Sequence, residues 1–254
     1  MQAASQPGLA PQPEPAPRPD PALVSAVCAD APVVVVCGHY GVGKTNLALN
    51  LALAAAQAGE SAAVADLDLV NPYFRSSDYP DVLTSAGVRL IAPTFAGTAL
   101  DTPSVGGQLF AEIERALAEP GRRLVVDAGG DDAGATVLGS YAHALAGKPV
   151  RVLHVLNAFR DLADPREAMA VLREVEEASR LAATGLVNVS HLMEGTTAQD
   201  VEHGRAWAAA VAELAGLPLV ATCVPAHLAQ QCYSDGTLGE PVVTVGRYVL
   251  TPWQ

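Results

Sequence analysis

Residues 38–45 read Gly-His-Tyr-Gly-Val-Gly-Lys-Thr, a match to the pattern G-x-x-x-x-G-K-[ST]. The flanks give the match its force. Pro32-Val33-Val34-Val35-Val36-Cys37 is β-branched and apolar at successive positions, as a strand covered on both faces must be. Asn46 to Leu53 predicts a helix that begins where the loop ends. A strand, a Gly-rich turn and a helix N-terminus aim several backbone N–H groups at one anion. Gly38, Gly41 and Gly43 provide positive φ and close backbone approach, which a side chain would block. Lys44 then reaches the β- and γ-phosphates as a point charge, and the Thr45 hydroxyl holds Mg²⁺. The predicted nucleotide contacts are Gly38, His39, Tyr40, Gly41, Val42, Gly43, Lys44, Thr45 and Asn46.

The same alternation continues. Strands are predicted at 61–65, 88–91, 122–127, 149–156, 184–188, 218–224 and 241–245. Helices are predicted at 108–118, up to about 147, at 165–181 and at 197–215. Asp164-Pro165-Arg166-Glu167 carries a helix-start signature, with a capping Asp, Pro at the first position and an early acid. The expected fold is α/β: a three-layer P-loop NTPase fold with a mostly parallel sheet and helices on both faces. Half of the 254 residues are apolar and few are aromatic, so Ala, Val and Leu build the core. Residues 31–254 are expected to form one nucleotide-binding domain. Residues 1–30 are expected to lie outside it, because proline recurs at 7, 11, 13, 15, 17, 19 and 21 and prevents regular hydrogen bonding. The stretch from Thr94 to Gly107 reads as a long loop.

The net charge of −12 gives no electrostatic reason to approach nucleic acid or an anionic membrane, and the basic residues are scattered. Cys28, Cys37, Cys223 and Cys232 form no C-x-x-C pair, which argues against a disulfide framework and a local metal knuckle. With no secretory signal and no membrane-spanning run, a cytoplasmic location is expected.

Ligands of open parallel sheets bind at the carboxyl ends of the strands. Asp66, Asp68, Asp127, Asn157, Asn188 and Pro225 all fall there. Asp127, ending an apolar strand, has the position of a Walker B aspartate that holds Mg²⁺ through water. Asp66 and Asp68 are candidate catalytic carboxylates beside Lys44, one orienting the attacking water and Asp68 also supporting the metal with Thr45 and Asp127. Asp131 and Asp132 read as caps of the next helix, and Gly129-Gly130 as a loop able to move on sensing the γ-phosphate.

Together the loop at 38–45, Asp66-Leu67-Asp68 and Asp127-Ala128-Gly129-Gly130 resemble the MinD/ParA/ArsA/NifH group, the deviant-Walker or SIMIBI P-loop ATPases, over residues 31 to about 250. The stretches Asn71 to Arg75 and Asn157 to Arg160 look like an uncharacterised ATP-binding bacterial branch. The resemblance implies ATP and Mg²⁺ as cofactors, a protein partner switched by nucleotide state, and a homodimer as one assembly. It also implies that Asn188 meets adenine and that Pro225 lies beside the base; no Asn-Lys-x-Asp guanine motif occurs. Departures matter. The group's trans-acting lysine is replaced by His39, for which His39 itself or Arg75 could substitute. The loop 129–134 lacks the cysteine of iron–sulfur members, and neither a basic DNA-binding patch nor an amphipathic C-terminal helix is evident. Two other functions fit the same resemblance: a carboxylate-phosphorylating enzyme like dethiobiotin synthetase or the cobyrinate amidation enzymes, with its acceptor pocket drawn from 71–107, and a nucleotide-binding module with little hydrolysis.

Overall fold

The structure is a computed structural model that describes residues 19–68, 74–92, 104–130, 132–160, 164–234 and 241–249. Its centre is β1 (Val33–Gly38), buried at all of its positions. β1 pairs in parallel with β4 (Arg122–Ala128) on one side and β5 (Val150–Leu156) on the other. β2 (Ser61–Leu67) and β3 (Arg89–Ile91) extend the sheet beyond β4. β6 (Gly185–Asn188), β7 (Leu219–Pro225) and β8 (Val242–Val245) extend it beyond β5. The order is β3-β2-β4-β1-β5-β6-β7-β8, and every pairing is parallel.

Successive strand residues point to opposite faces, and the two faces meet different helices. Val34 and Val36 pack with α1 (Ala22–Cys28), α2 (Lys44–Gln57) and Leu83 of α3 (Pro80–Ser85). Val33, Val35 and Cys37 pack with α4 (Ser104–Ala118), α5 (Asp132–Gly139) and α6 (Ala142–Leu145). α7 (Pro165–Ser179) and α8 (Ala198–Ala215) continue this second layer over Leu156 and Leu186. A short α9 (Ala229–Ser234) closes the β7–β8 end, where Cys232 meets Val224. The expected three-layer α/β architecture is therefore present. Each fully buried valine of β1 is worth about 1.5–3 kcal/mol.

Two boundaries differ from expectation. Residues 19–30 belong to the fold: Leu23 and Val27 are 0 % exposed, and α1 lies against α2, β7 and β8. Asp20, just before it, accepts from the Ala22 N–H at 2.9 Å, and its other oxygen accepts from the Thr244 N–H at 3.1 Å. The proline run stops at Pro21, and Leu23, Val27 and Cys28 then form an apolar face at helical spacing. Residues 1–18 lie outside the described residues. The other boundary is α4, which starts at Ser104 inside the stretch read as a loop. Residues 93–103 of that stretch lie outside the described residues, as do Asn71, Pro72, Tyr73 and Asp131.

Candidate functional site

At the carboxyl end of β1 the loop takes the conformation its glycines permit: φ is 141° at Gly38, 75° at Gly41 and 106° at Gly43. A Cβ on Gly38 would lie 2.7 Å from the Val155 carbonyl oxygen in β5, so packing requires glycine there as well. α2 begins at Lys44, which is only 7 % exposed. Its Nζ donates to the His39 carbonyl at 2.9 Å, across the loop's own rim. Asn157 supports the loop from β5, donating from Nδ2 to the Val42 carbonyl at 3.3 Å.

Parallel register places Asp66 of β2 directly beside Asp127 of β4, both essentially without solvent exposure. Their surroundings set them apart. Asp66 accepts from the Asp68 N–H at 3.0 Å through Oδ1 and from the Ser77 N–H at 2.9 Å through Oδ2. Burial raises its pKa, and the bonds from Ser77 and Asp68 pull it back. Asp127 accepts from the Ser76 hydroxyl at 2.5 Å through Oδ2, while its buried Oδ1 has no hydrogen-bond partner among the described residues. Burial pushes the Asp127 carboxyl up to about 7 and the Asp66 charge adds to that; Ser76, Lys44 and the Thr45 hydroxyl lower it.

A cleft of about 300 Å³ opens over the loop and runs into a smaller apolar slot through Gly43, Asn46 and His191, which line both. Of the predicted residues, Tyr40, Gly41, Gly43, Lys44, Thr45, Asn46 and Asp68 line the cleft, and Pro225 lines the slot. The side chains of His39, Val42, Asp66, Asp127 and Asn188, and Gly38, do not line either space. Two corrections follow. Asp66 lies buried away from the cleft, and each of its oxygens accepts from the backbone of the segment it orders. Asn188 is buried: its Oδ1 accepts from the Ser190 N–H and hydroxyl at 3.0 and 2.6 Å, and its Nδ2 donates to Thr222 at 3.4 Å. Asn46 holds the chain after β8, accepting from the Tyr248 N–H at 2.9 Å and donating to the Gly246 carbonyl at 2.9 Å.

Sequence reasoning missed several residues. Ser76 is 0 % exposed and bonded to Asp127; its only sequence signal is a Ser-Ser pair following the carboxylates of β2. Phe74 and Arg160, which belong to the stretches 71–75 and 157–160 singled out in the sequence, line the cleft together with His191, Met193, Arg247 and Val249, which no sequence pattern marks. Among the described residues that line the cleft, Lys44, Arg160 and Arg247 are cationic and Asp68 is acidic, and Arg247 is paired with Glu194 at 3.2 Å. Arg75, weighed above as a substitute cation, does not line the cleft, whereas Arg160 does.

The donor set fits a hard cation. The Thr45 hydroxyl and the Asp127 carboxyl, whose Oδ1 has no hydrogen-bond partner among the described residues, are oxygen donors that Mg²⁺ would accept, directly or through water. Among the described residues no group of three His, Cys, Asp or Glu forms a metal cage, so a cation here depends on ligand phosphates and water. Among the same residues, no helix is long and apolar enough to cross a membrane.

No protein-family model matches the chain, and no curated protein matches it. Solved structures do. The cell division protein FtsY of Thermotoga maritima matches with a TM-score of 0.53 at 20% identity, covering 78% of this chain and 66% of that one. The signal recognition particle 54 kDa protein of Aeropyrum pernix, solved in complex with GDP, matches with a TM-score of 0.52 at 16% identity, covering 84% and 43%. FtsY of Mycoplasma mycoides matches with a TM-score of 0.50 at 17% identity, covering 74% and 58%. The chain thus spans less than two thirds of each of these structures. At this identity the likeness establishes the fold, an α/β P-loop NTPase-like sheet with its helices.

Proposed function

We propose that this protein is a SIMIBI-class nucleotide switch that binds ATP with Mg²⁺, hydrolyses it, and presents its nucleotide state to a partner protein. The main support is the contact between two loops. A Cβ on Gly130, just after β4, would lie 2.4 Å from the Lys44 Nζ and 2.7 Å from the Tyr40 Cα. The loop after the Walker B strand therefore rests directly on the lysine and the rim of the phosphate loop. A γ-phosphate that draws Lys44 away from the His39 carbonyl must also move or clamp this loop, which is how such segments report nucleotide state. A cationic cleft in a chain of net charge −12 favours a small polyanion over a nucleic-acid backbone.

Each residue has a role in this reading. Lys44 and the N–H groups of 41–45 bind the β- and γ-phosphates. Thr45 directly, and Asp127 through water, hold Mg²⁺, which neutralises charge on the phosphates. Asp68, on the cleft wall, orients the attacking water, and Arg160 is the cation placed in cis where related ATPases use a lysine in trans. Adenine is assigned to the slot beside Pro225, consistent with the lack of a guanine motif, although the Aeropyrum structure holds GDP. A cytoplasmic location and a homodimeric state belong to the same proposal.

Calorimetric titration with Mg-ATP, paired with multiple-turnover phosphate release, tests it. Lys44→Ala should lower affinity at least about a hundredfold while the protein stays folded, since a charged hydrogen bond to phosphate is lost. Unchanged affinity would refute the phosphate site, and absent turnover with intact binding would reduce the protein to a binding module.

A further inference from the structure

The loop after β6 runs Asn188-Val189-Ser190-His191 and is pinned from both sides. Asn188 holds Ser190 by two hydrogen bonds, and the Ser190 hydroxyl accepts from the Ala158 N–H at 2.8 Å. α8 approaches so closely that a Cβ on Gly204 would lie 2.3 Å from the Ser190 Cβ. His191 is therefore presented by a rigid support. Its Nδ1 accepts from the Met193 N–H at 3.2 Å. Met193 delivers that N–H from a left-handed conformation, φ 57°, which residues other than glycine seldom hold and which marks functional sites when over-determined. With Nδ1 as acceptor, the ring proton sits on Nε2. Burial, then Arg160 and Arg247, hold the His191 pKa below its usual range, so the ring is a neutral donor. The Nε2 atom lies 4.0 Å from where a Cβ on Gly43 would stand, at the junction of cleft and slot.

We infer that His191 is the residue that reads the base: its Nε2–H donates to N1 of adenine, the ring nitrogen that is an acceptor in adenine and an N–H donor in guanine, and Asn188 serves only to hold the loop that carries it. This rests on the nucleotide-binding reading above. The slot beyond Nε2 is walled by Leu47, Val189, Cys223, Pro225 and Val245; at about 30 Å³ it takes the edge of a flat ring, whose remainder lies in the adjoining cleft of about 300 Å³. Along the pairing edge adenine offers the N1 acceptor and an exocyclic amine, whereas guanine offers N1–H and N2–H donors, which a carboxylate opposite would accept and a ring N–H would repel. The described slot residues contain no carboxylate; Asp68 lines only the cleft.

The test is the affinity of wild type, His191→Ala, His191→Gln and His191→Asp for Mg-ATP, Mg-GTP and inorganic tripolyphosphate, with thermal melting to confirm folding. Wild type should prefer ATP to GTP by about tenfold or more, the worth of one hydrogen bond against an unmet donor. His191→Ala should lose about tenfold for ATP but not for tripolyphosphate. His191→Gln, which keeps an N–H donor, should retain the preference, and His191→Asp should move it toward GTP. Equal affinity of wild type for ATP and GTP, or an ATP preference surviving in a folded His191→Asp, would overturn the inference alone. Failure of wild type to bind tripolyphosphate as well as both nucleotides would overturn the phosphate-site reading on which it rests.

Discussion

Asp127→Asn in the ligand-free protein should stabilise it, although Asp127 is proposed above to hold Mg²⁺ through water. The wild-type carboxyl is raised from 3.8 to about 7, chiefly by burial and then by the Asp66 charge. At about 1.36 kcal/mol per pKa unit, keeping it ionised in the folded state costs about 4 kcal/mol above pH 7. The sign is that of a raised carboxylate. The native state holds its proton more tightly than the unfolded chain, so stability on this account is greatest below about pH 4 and declines until about pH 7. Asparagine carries no charge at any pH and still offers an oxygen to the Ser76 hydroxyl. Asp66 shares the repulsion, so one substitution should recover a part, roughly 1–3 kcal/mol, or about 3–10 °C in Tm for a chain of this size. Thermal melting at about pH 8 should show the gain, and melting near pH 4.5 should show it shrinking. Mg-ATP should raise the Tm of wild type and leave that of Asp127→Asn nearly unchanged. A variant melting at or below wild type at pH about 8 would refute the claim that Ser76, Lys44 and Thr45 offset this buried charge only in part.

The remaining predictions concern the support of the site. Gly130→Ala places a methyl against the Lys44 ammonium and the Tyr40 backbone, and should cost about 1–3 kcal/mol and weaken ATP binding, read by melting and calorimetry. Leu23→Ala should cost about 2–5 kcal/mol in urea unfolding; an unchanged midpoint would return α1 to the disordered leader. Asn50→Ala removes the Nδ2 and Oδ1 bonds to Gly246, at 2.9 and 2.8 Å, and should speed hydrogen exchange at Gly246 with a loss of about 1–3 kcal/mol.

Local chemistry was legible in the sequence because it is written in adjacent residues. The valines of β1, the glycines of 38–45 and Lys44 at the head of α2 act within one strand, turn and helix, so spacing alone placed them. The α/β alternation followed from periodicity, and Asp127 from its place at the end of an apolar strand. The errors have physical causes. Proline content was carried past Pro21 into α1, whose apolar face is visible only once a sheet edge lies beneath it. Asp66 and Asp68 looked equivalent in sequence, yet the backbone bonds to Asp66 remove it from the cleft and leave Asp68 there. Asn188 ends its strand as an adenine-contacting residue should, but its amide is consumed by Ser190 and Thr222. The sequence by itself determined that a phosphate loop sits at the head of a parallel sheet, since strand, glycines and helix N-terminus are contiguous. Only the tertiary structure decided which side chains line the cleft over that loop. Arg160, His191 and Arg247 come from separate crossovers that meet because the sheet order brings β5, β6 and the chain after β8 to one rim, and no local pattern encodes that meeting.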